Sequence, residues 1–109
     1  MRKGFITVVL LLACAAPGAA QRARRPVTHT VTIDGTRFSP ATLTIKPGDS
    51  VVWVNKDIVA HTATSAGPGG FESGMLETGK SWKKRFIKKG ELPYACRYHP
   101  AMTARLVVE

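Results

Sequence analysis

From Val27 onward no stretch of this chain spaces its apolar side chains as a helix would, and what recurs instead is a period of two. Val27, His29, Val31 and Ile33 alternate with Thr28, Thr30 and Thr32, the pattern of a strand with one buried face. Leu43 and Ile45 again alternate with threonines, and Leu106 and Val108 do so with their neighbours near the C-terminus. Val51-Val-Trp-Val54 is continuously apolar, which predicts a central strand covered on both faces. Further strands are expected over 59–66, with His61 near the beginning, and over 80–89, with Trp82 and Phe86 on one side. Between these runs stand turn formers: Asp34-Gly-Thr36, Lys46-Pro-Gly-Asp49, Gly67-Pro-Gly-Gly70 and Glu77-Thr-Gly79. The Pro-Gly order at 47–48 is that of a type I or II turn. Seven or eight short strands in one all-β sandwich are the predicted fold; no internal repeat or second domain is legible.

The first residues read differently. Arg2 and Lys3 precede an apolar run over 5–13 and the small residues 14–20, the order of a secretory signal. The run is too short to cross a bilayer as a helix. Two processing routes fit. In one, cleavage follows Ala20; in the other, Leu11-Leu-Ala-Cys14 acts as a lipobox and Cys14 carries a lipid anchor. Both routes export the chain, to the periplasm of a bacterium. The predicted organisation is a leader over 1–20, a flexible basic tail over 21–26 and one domain over 27–109, long enough for a single modest core.

Export narrows the remaining classes. Without Arg2 and Lys3, the 16 Lys and Arg residues fall to 14 against 7 Asp and Glu, about +7. Such a balance suits an anionic surface or an acidic protein, and nucleic acid is a poor partner outside the cell. Six of the cations, Lys80, Lys83, Lys84, Arg85, Lys88 and Lys89, crowd one predicted strand and its ends. They form a solvated face that protects an edge strand from pairing, or a steering surface for an acidic partner. With Cys14 removed or acylated, Cys96 is the one thiol of the domain, and no internal disulfide can form. An unpaired thiol in an oxidising compartment needs another use.

That use is suggested by Tyr94-Ala-Cys-Arg-Tyr-His-Pro-Ala-Met102. Cys96, His99 and Met102 follow one another at intervals of three, a thiolate, an imidazole and a thioether with no carboxylate among them. A soft and borderline set of this kind suits copper in both oxidation states, and a Cys with two His and a weak axial Met is the ligand set of blue-copper centres. The loop supplies one imidazole, so a second must come from elsewhere, and His61 in Val59-Ala-His-Thr-Ala-Thr-Ser65 is the candidate. His29 lies outside the motif and reads as a strand residue. Zinc is disfavoured, since its structural sites prefer several Cys or His and its catalytic sites keep water access.

His61 together with Cys96-Arg-Tyr-His-Pro-Ala-Met102 resembles the cupredoxins, the small blue copper proteins. The two-residue gap between His99 and Met102 is most similar to the amicyanin branch; the plastocyanin-like members have a longer one. Phe38-Ser-Pro40, Lys46-Pro-Gly48, Val52-Trp-Val-Asn55 and Tyr94-x-Cys96 fall in the family's order, so the likeness covers nearly the whole domain. The resemblance implies a Greek-key β-sandwich holding one type 1 copper on His61, Cys96, His99 and Met102. It implies an electron carrier, not an enzyme. The family often has Pro and Asn flanking the first His, where this chain has Ala60 and Thr62. Thr62 could tie the two ligand segments together through its hydroxyl and backbone. Tyr98 stands where Pro is usual. These departures bear on the redox potential and leave the metal unchanged.

The resemblance also implies a monomer whose His99 edge, framed by Pro100, Ala101, Met75 and Leu76, docks a redox protein such as a cytochrome or a dehydrogenase. Copper delivery is the alternative reading, although a delivery site favours several Met ligands and this chain has only three Met, Met1 included. A nucleophilic Cys-His enzyme is rejected, because no Asn or Asp stands near the motif to orient the base.

Overall fold

The computed structural model describes residues 24–109. The leader, Cys14 and the first residues of the basic tail lie outside the described residues. Nine strands form two mixed sheets. They are β1 (Thr28–Asp34), β2 (Arg37–Ser39), β3 (Thr42–Ile45), β4 (Ser50–Asn55), β5 (Thr64–Ser65), β6 (Phe71–Glu72), β7 (Ser81–Arg85), β8 (Gly90–Ala95) and β9 (Thr103–Val108). One sheet runs β2-β1-β4-β7 and the other β3-β9-β8-β5-β6. The chain crosses between them after β2, β3, β4, β6 and β7, as a Greek-key sandwich requires. The strands number nine, two more than the lower expectation, because β5 and β6 are only two residues each and carry no alternation to read.

Inward positions of both sheets build the core. Val31, Ile33, Val51 and Trp53 come from one sheet, and Ile45, Tyr94, Leu106 and Val108 from the other. Trp53 is its centre: the rings of Phe71, Trp82 and Tyr94 lie 5.1, 5.4 and 5.7 Å from it, distances at which aromatic edges and faces attract. The expectation that β4 is covered on both faces needs correction. Val51, Trp53 and Asn55 are buried, but Val52 and Val54 are only half-buried. The two valines form the outer face of a sheet over which the described residues lay no second layer.

The turns follow their chemistry. Gly48 has φ +98° after Pro47, which selects type II over type I. Gly35 and Thr36 have φ 58° and 59°, a type I′ hairpin turn between β1 and β2. β7 is an edge strand, beside β4 alone, and its lysines guard that edge. It is shorter than the expected 80–89, because Phe86 turns inward and its backbone bonds to Gly48 and Asp49.

His29 packs at the start of β1 against the buried Asp49. That carboxylate also accepts hydrogen bonds from Arg24, Val27 N–H and Lys46 N–H, at 2.9 to 3.1 Å. The domain's contacts therefore include Arg24, inside the segment read as tail.

Candidate metal centre

The two sheets bring three segments to one end of the sandwich: the chain after β4, the 73–76 segment after β6 and the loop between β8 and β9. His61 does not lie on a regular strand, contrary to the expectation for 59–66. It forms an isolated bridge with Leu76, through hydrogen bonds of 3.1 and 2.8 Å. The reason is a register change. Thr64 faces Glu72 and Ser65 faces Phe71, so an unbroken ladder would set His61 opposite Met75. One extra residue is bulged on the facing segment at Gly74, whose φ is 73°. Bulges of this kind re-aim side chains beside functional sites; here His61 is fully buried while Met75 is half exposed.

Cys96 directly follows β8, and the loop it opens is closed by its own backbone. Cys96 N–H donates to Met102 C=O at 3.1 Å and Met102 N–H donates to His99 C=O at 2.8 Å. Cys96 and Met102 are buried, and His99 is half-buried. The Cys96 sulfur lies 3.7 Å from His61 Nδ1 and 3.6 Å from His99 Nδ1. The ligand atoms of the three residues all fall within 4.8 Å of one another. Bond lengths of about 2.0 Å to nitrogen and 2.3 Å to sulfur, opened to trigonal angles, put N and S roughly 3.7 Å apart. The three donors therefore stand at the spacing of a trigonal site around one ion.

The thiol is prepared for a metal. Burial pushes its pKa up, but the N–H groups of Thr62 and Tyr98 and the His99 and His61 imidazoles beside the sulfur outweigh that and bring it down to about 6. The thiolate, which is the metal-binding form, is thus favoured at neutral pH. Thr62 is the tie between the two ligand segments, as its position suggested. Its N–H reaches the Cys96 sulfur at 3.4 Å, and its hydroxyl accepts from Arg97 N–H at 2.9 Å. The same hydroxyl lies 2.8 Å from that of Thr64, which donates to Glu72 at 3.0 Å, and Glu72 pairs with Arg97.

One site residue was not anticipated. Asp57 Oδ2 stands 2.8 Å from His61 Nε2, so an acidic residue does touch the constellation although none stands beside Cys96 in sequence. Its carboxylate also accepts from Thr36 N–H at 2.9 Å and Ile58 N–H at 2.8 Å. The contact with His61 first, and these two N–H groups after it, hold the Asp57 carboxyl below the usual range. With Nε2–H donating to Asp57, His61 keeps the Nδ1 lone pair for the metal. Asn55 fixes the segment: its amide donates to Val59 C=O and Leu76 C=O, and its side-chain oxygen accepts from Asp57 N–H.

The donor set and its spacing fit one type 1 copper ion. A match to the family described as "Cupredoxin-like domain" covers residues 4–108.

The chain belongs to the cupredoxin-like family.

Among proteins similar to this cupredoxin is amicyanin-alpha of Methylorubrum extorquens. It is 32% identical over 102 residues, which cover 90% of this chain and 85% of that protein. The fold matches the reduced state of an amicyanin mutant with a TM-score of 0.70 and 26% identity, over 75% of this chain and 82% of that one. It also matches a Cu-containing nitrite reductase from Thermus scotoductus, with a TM-score of 0.72 and 31% identity. That match covers 79% of this chain but only 23% of the reductase, so this cupredoxin corresponds to one part of a much larger enzyme.

Proposed function

We propose that this cupredoxin is an exported electron carrier, a monomer rather than an enzyme, with one copper held by His61, Cys96, His99 and Met102. The single observation that carries the reading is the triangle of His61 Nδ1, Cys96 Sγ and His99 Nδ1, all within 4.8 Å of one another. Copper supplies the chemistry, gaining and losing one electron between Cu(II) and Cu(I). The chain keeps the donors in place through that exchange. Contacts between Asp57 and His61 and between Thr62 and Cys96, with the Cys96–Met102 backbone closure, hold the ligand segments together at one end of the sandwich. Burial of His61, Cys96 and Met102 favours a retained metal over one handed on, which weighs against copper delivery. The soft thioether of Met102, at the end of the closed loop, would be the fourth donor to that ion.

His99 is the half-buried ligand and the exit for the electron. Exposed Ile58, Val59, Met75 and Tyr98 belong to the same segments, with Pro100 and Ala101 beside His99. This apolar surface would dock a redox protein, a cytochrome or dehydrogenase. Leu76, expected in that frame, is buried and takes no part in the surface.

The test is reconstitution with one equivalent of Cu(II), followed by visible absorption and EPR. The expected result is an intense blue band with narrow copper hyperfine splitting, both lost in Cys96→Ser. An ordinary tetragonal spectrum would sink the assignment.

A further inference from the structure

The His61, Cys96 and His99 cluster and the β7–β8 turn lie at opposite poles of the sandwich. Arg85, the last residue of β7, pairs with Ser50 at the start of β4, whereas His61 follows the end of β4. In the other sheet Gly90 pairs with Val108, and the strand must run on to Ala95 before Cys96 is reached. Six strand residues separate the poles by about 20 Å.

The copper-distal pole sets an exposed apolar side chain among cations. Ile87 is 70% exposed at the tip of the turn, and Lys84, Arg85, Lys88 and Lys89 surround it in sequence. Among the described residues none of these four cations has a salt-bridge partner. Exposed Arg25, Val27 and Lys46 join them there, because the start of β1 and the β3–β4 turn lie at the same end. The acidic groups nearby are largely spent. Asp49 is buried under Arg24 and His29, and Glu91 is paired with Arg105; the Glu109 side chain is the opposing exposed charge. A cleft of about 250 Å³ opens beside the turn, its lining including Lys84, Ile87, Lys88, Lys89 and Leu92 together with Glu91, whose carboxylate is paired with Arg105.

We infer that this pole is a docking surface for an anionic lipid bilayer. Unpaired lysines attract a negatively charged leaflet, and an apolar side chain raised among them enters the interface, where its burial favours attachment. The cleft would admit a headgroup phosphate between Lys84, Lys88 and Lys89. A surface that served only to steer an acidic protein would need the cations but not an isoleucine at their tip. Docking by this pole leaves the copper end facing away from the membrane and open to a redox partner. The inference does not depend on which metal the other pole holds.

The experiment is co-sedimentation of the full chain with phosphatidylglycerol vesicles and with phosphatidylcholine vesicles at low salt. Lys88→Glu/Lys89→Glu and Ile87→Ser are compared with the parent, each shown to be folded by an unchanged thermal transition. Residues 1–23 are identical in all three, so differences among them report the β7–β8 turn. The parent should bind the anionic vesicles more tightly than the neutral ones, and that difference is the quantity compared. The double reversal should weaken binding at least about tenfold, and Ile87→Ser should weaken it measurably. Undiminished binding by the folded double variant would overturn the proposal. So would an Ile87→Ser variant that binds like the parent, because charge alone would then account for attachment and an acidic protein would be the better occupant.

Discussion

One oxygen of Asp57 joins the metal centre to the first hairpin: Oδ2 lies 2.8 Å from His61 Nε2 and 2.9 Å from Thr36 N. Thr36 sits at φ 59°, a left-handed conformation that β-branched residues avoid. The carboxylate therefore orients a ligand imidazole and clamps a strained turn at once.

Replacing the charge while keeping the shape should expose the electrostatic part of this role. In Asp57→Asn the imidazole loses a negative neighbour that favours the more highly charged Cu(II). The reduction potential should rise on the order of 60 mV, the one-electron equivalent of a tenfold affinity change. Voltammetry of the folded variant measures it, and an unmoved potential would limit Asp57 to a structural part.

Thr62 divides its work between backbone and side chain, so Thr62→Val separates the two. The N–H to Cys96 remains and the blue colour should persist. The hydroxyl that accepts from Arg97 N–H is lost, leaving that donor without its partner, at a cost of about 1–3 kcal/mol. At roughly 4–8 °C per kcal/mol for a domain of this size, the melting temperature should fall visibly. An unchanged melt with an altered spectrum would reverse the assignment of roles.

Much of this could be read from the chain, and the parts that could not have identifiable causes. The alternation of Val31 and Ile33 with threonines reports a half-buried face, and Cys96, His99 and Met102 sit close enough in sequence to declare a common chemistry. His61 stood out in sequence as the candidate second imidazole, and the fold sets it beside Cys96 and His99, but its local setting was not legible. A bulge at Gly74 leaves no trace in period-two alternation, so the segment around His61 looks like an ordinary strand. Asp57 was missed for a related reason. It precedes His61 by four residues in a loop, where spacing carries no geometric meaning, and only the fold around Asn55 turns its carboxylate toward the imidazole. Lys46-Pro-Gly-Asp49 declared a turn, yet nothing local announces that Asp49 collects His29 from β1 and Arg24 from the segment before it.

That last cluster ties the fold's stability to acid pH. Burial would raise the Asp49 pKa, but contacts from His29, Val27 N–H, Lys46 N–H and Arg24 outweigh it and hold the carboxyl well below the usual range. A depressed native pKa means that the unfolded chain binds more protons as the pH falls below about 4. The stabilisation is therefore complete above that pH and is lost progressively below it. Asp49→Asn should cost about 2 kcal/mol at neutral pH, and the difference from the parent should shrink toward pH 2. Denaturant melts across the acid range test this; a gap independent of pH would show that charge is not what Asp49 contributes.

Cys96 governs the opposite pH window. Its thiol is ordinarily near 9.0, and in the metal-free fold the Thr62 N–H and the two imidazoles overcome burial to bring it to about 6. The unfolded chain then holds a proton between these values that the native chain has released. The thiolate contribution to the stability of the metal-free protein is thus absent below pH 6, grows as the pH rises and is complete above pH 9. Copper uptake carries the same signature, since a ligand already deprotonated has no proton to give. Calorimetry in buffers of different ionisation heat should find that binding releases about one more proton at pH 5 than at pH 8. Ultraviolet absorbance of the metal-free thiolate should titrate near pH 6. A midpoint near the ordinary thiol value would mean that burial prevails over the hydrogen bonds, and that copper itself must expel the proton at neutral pH.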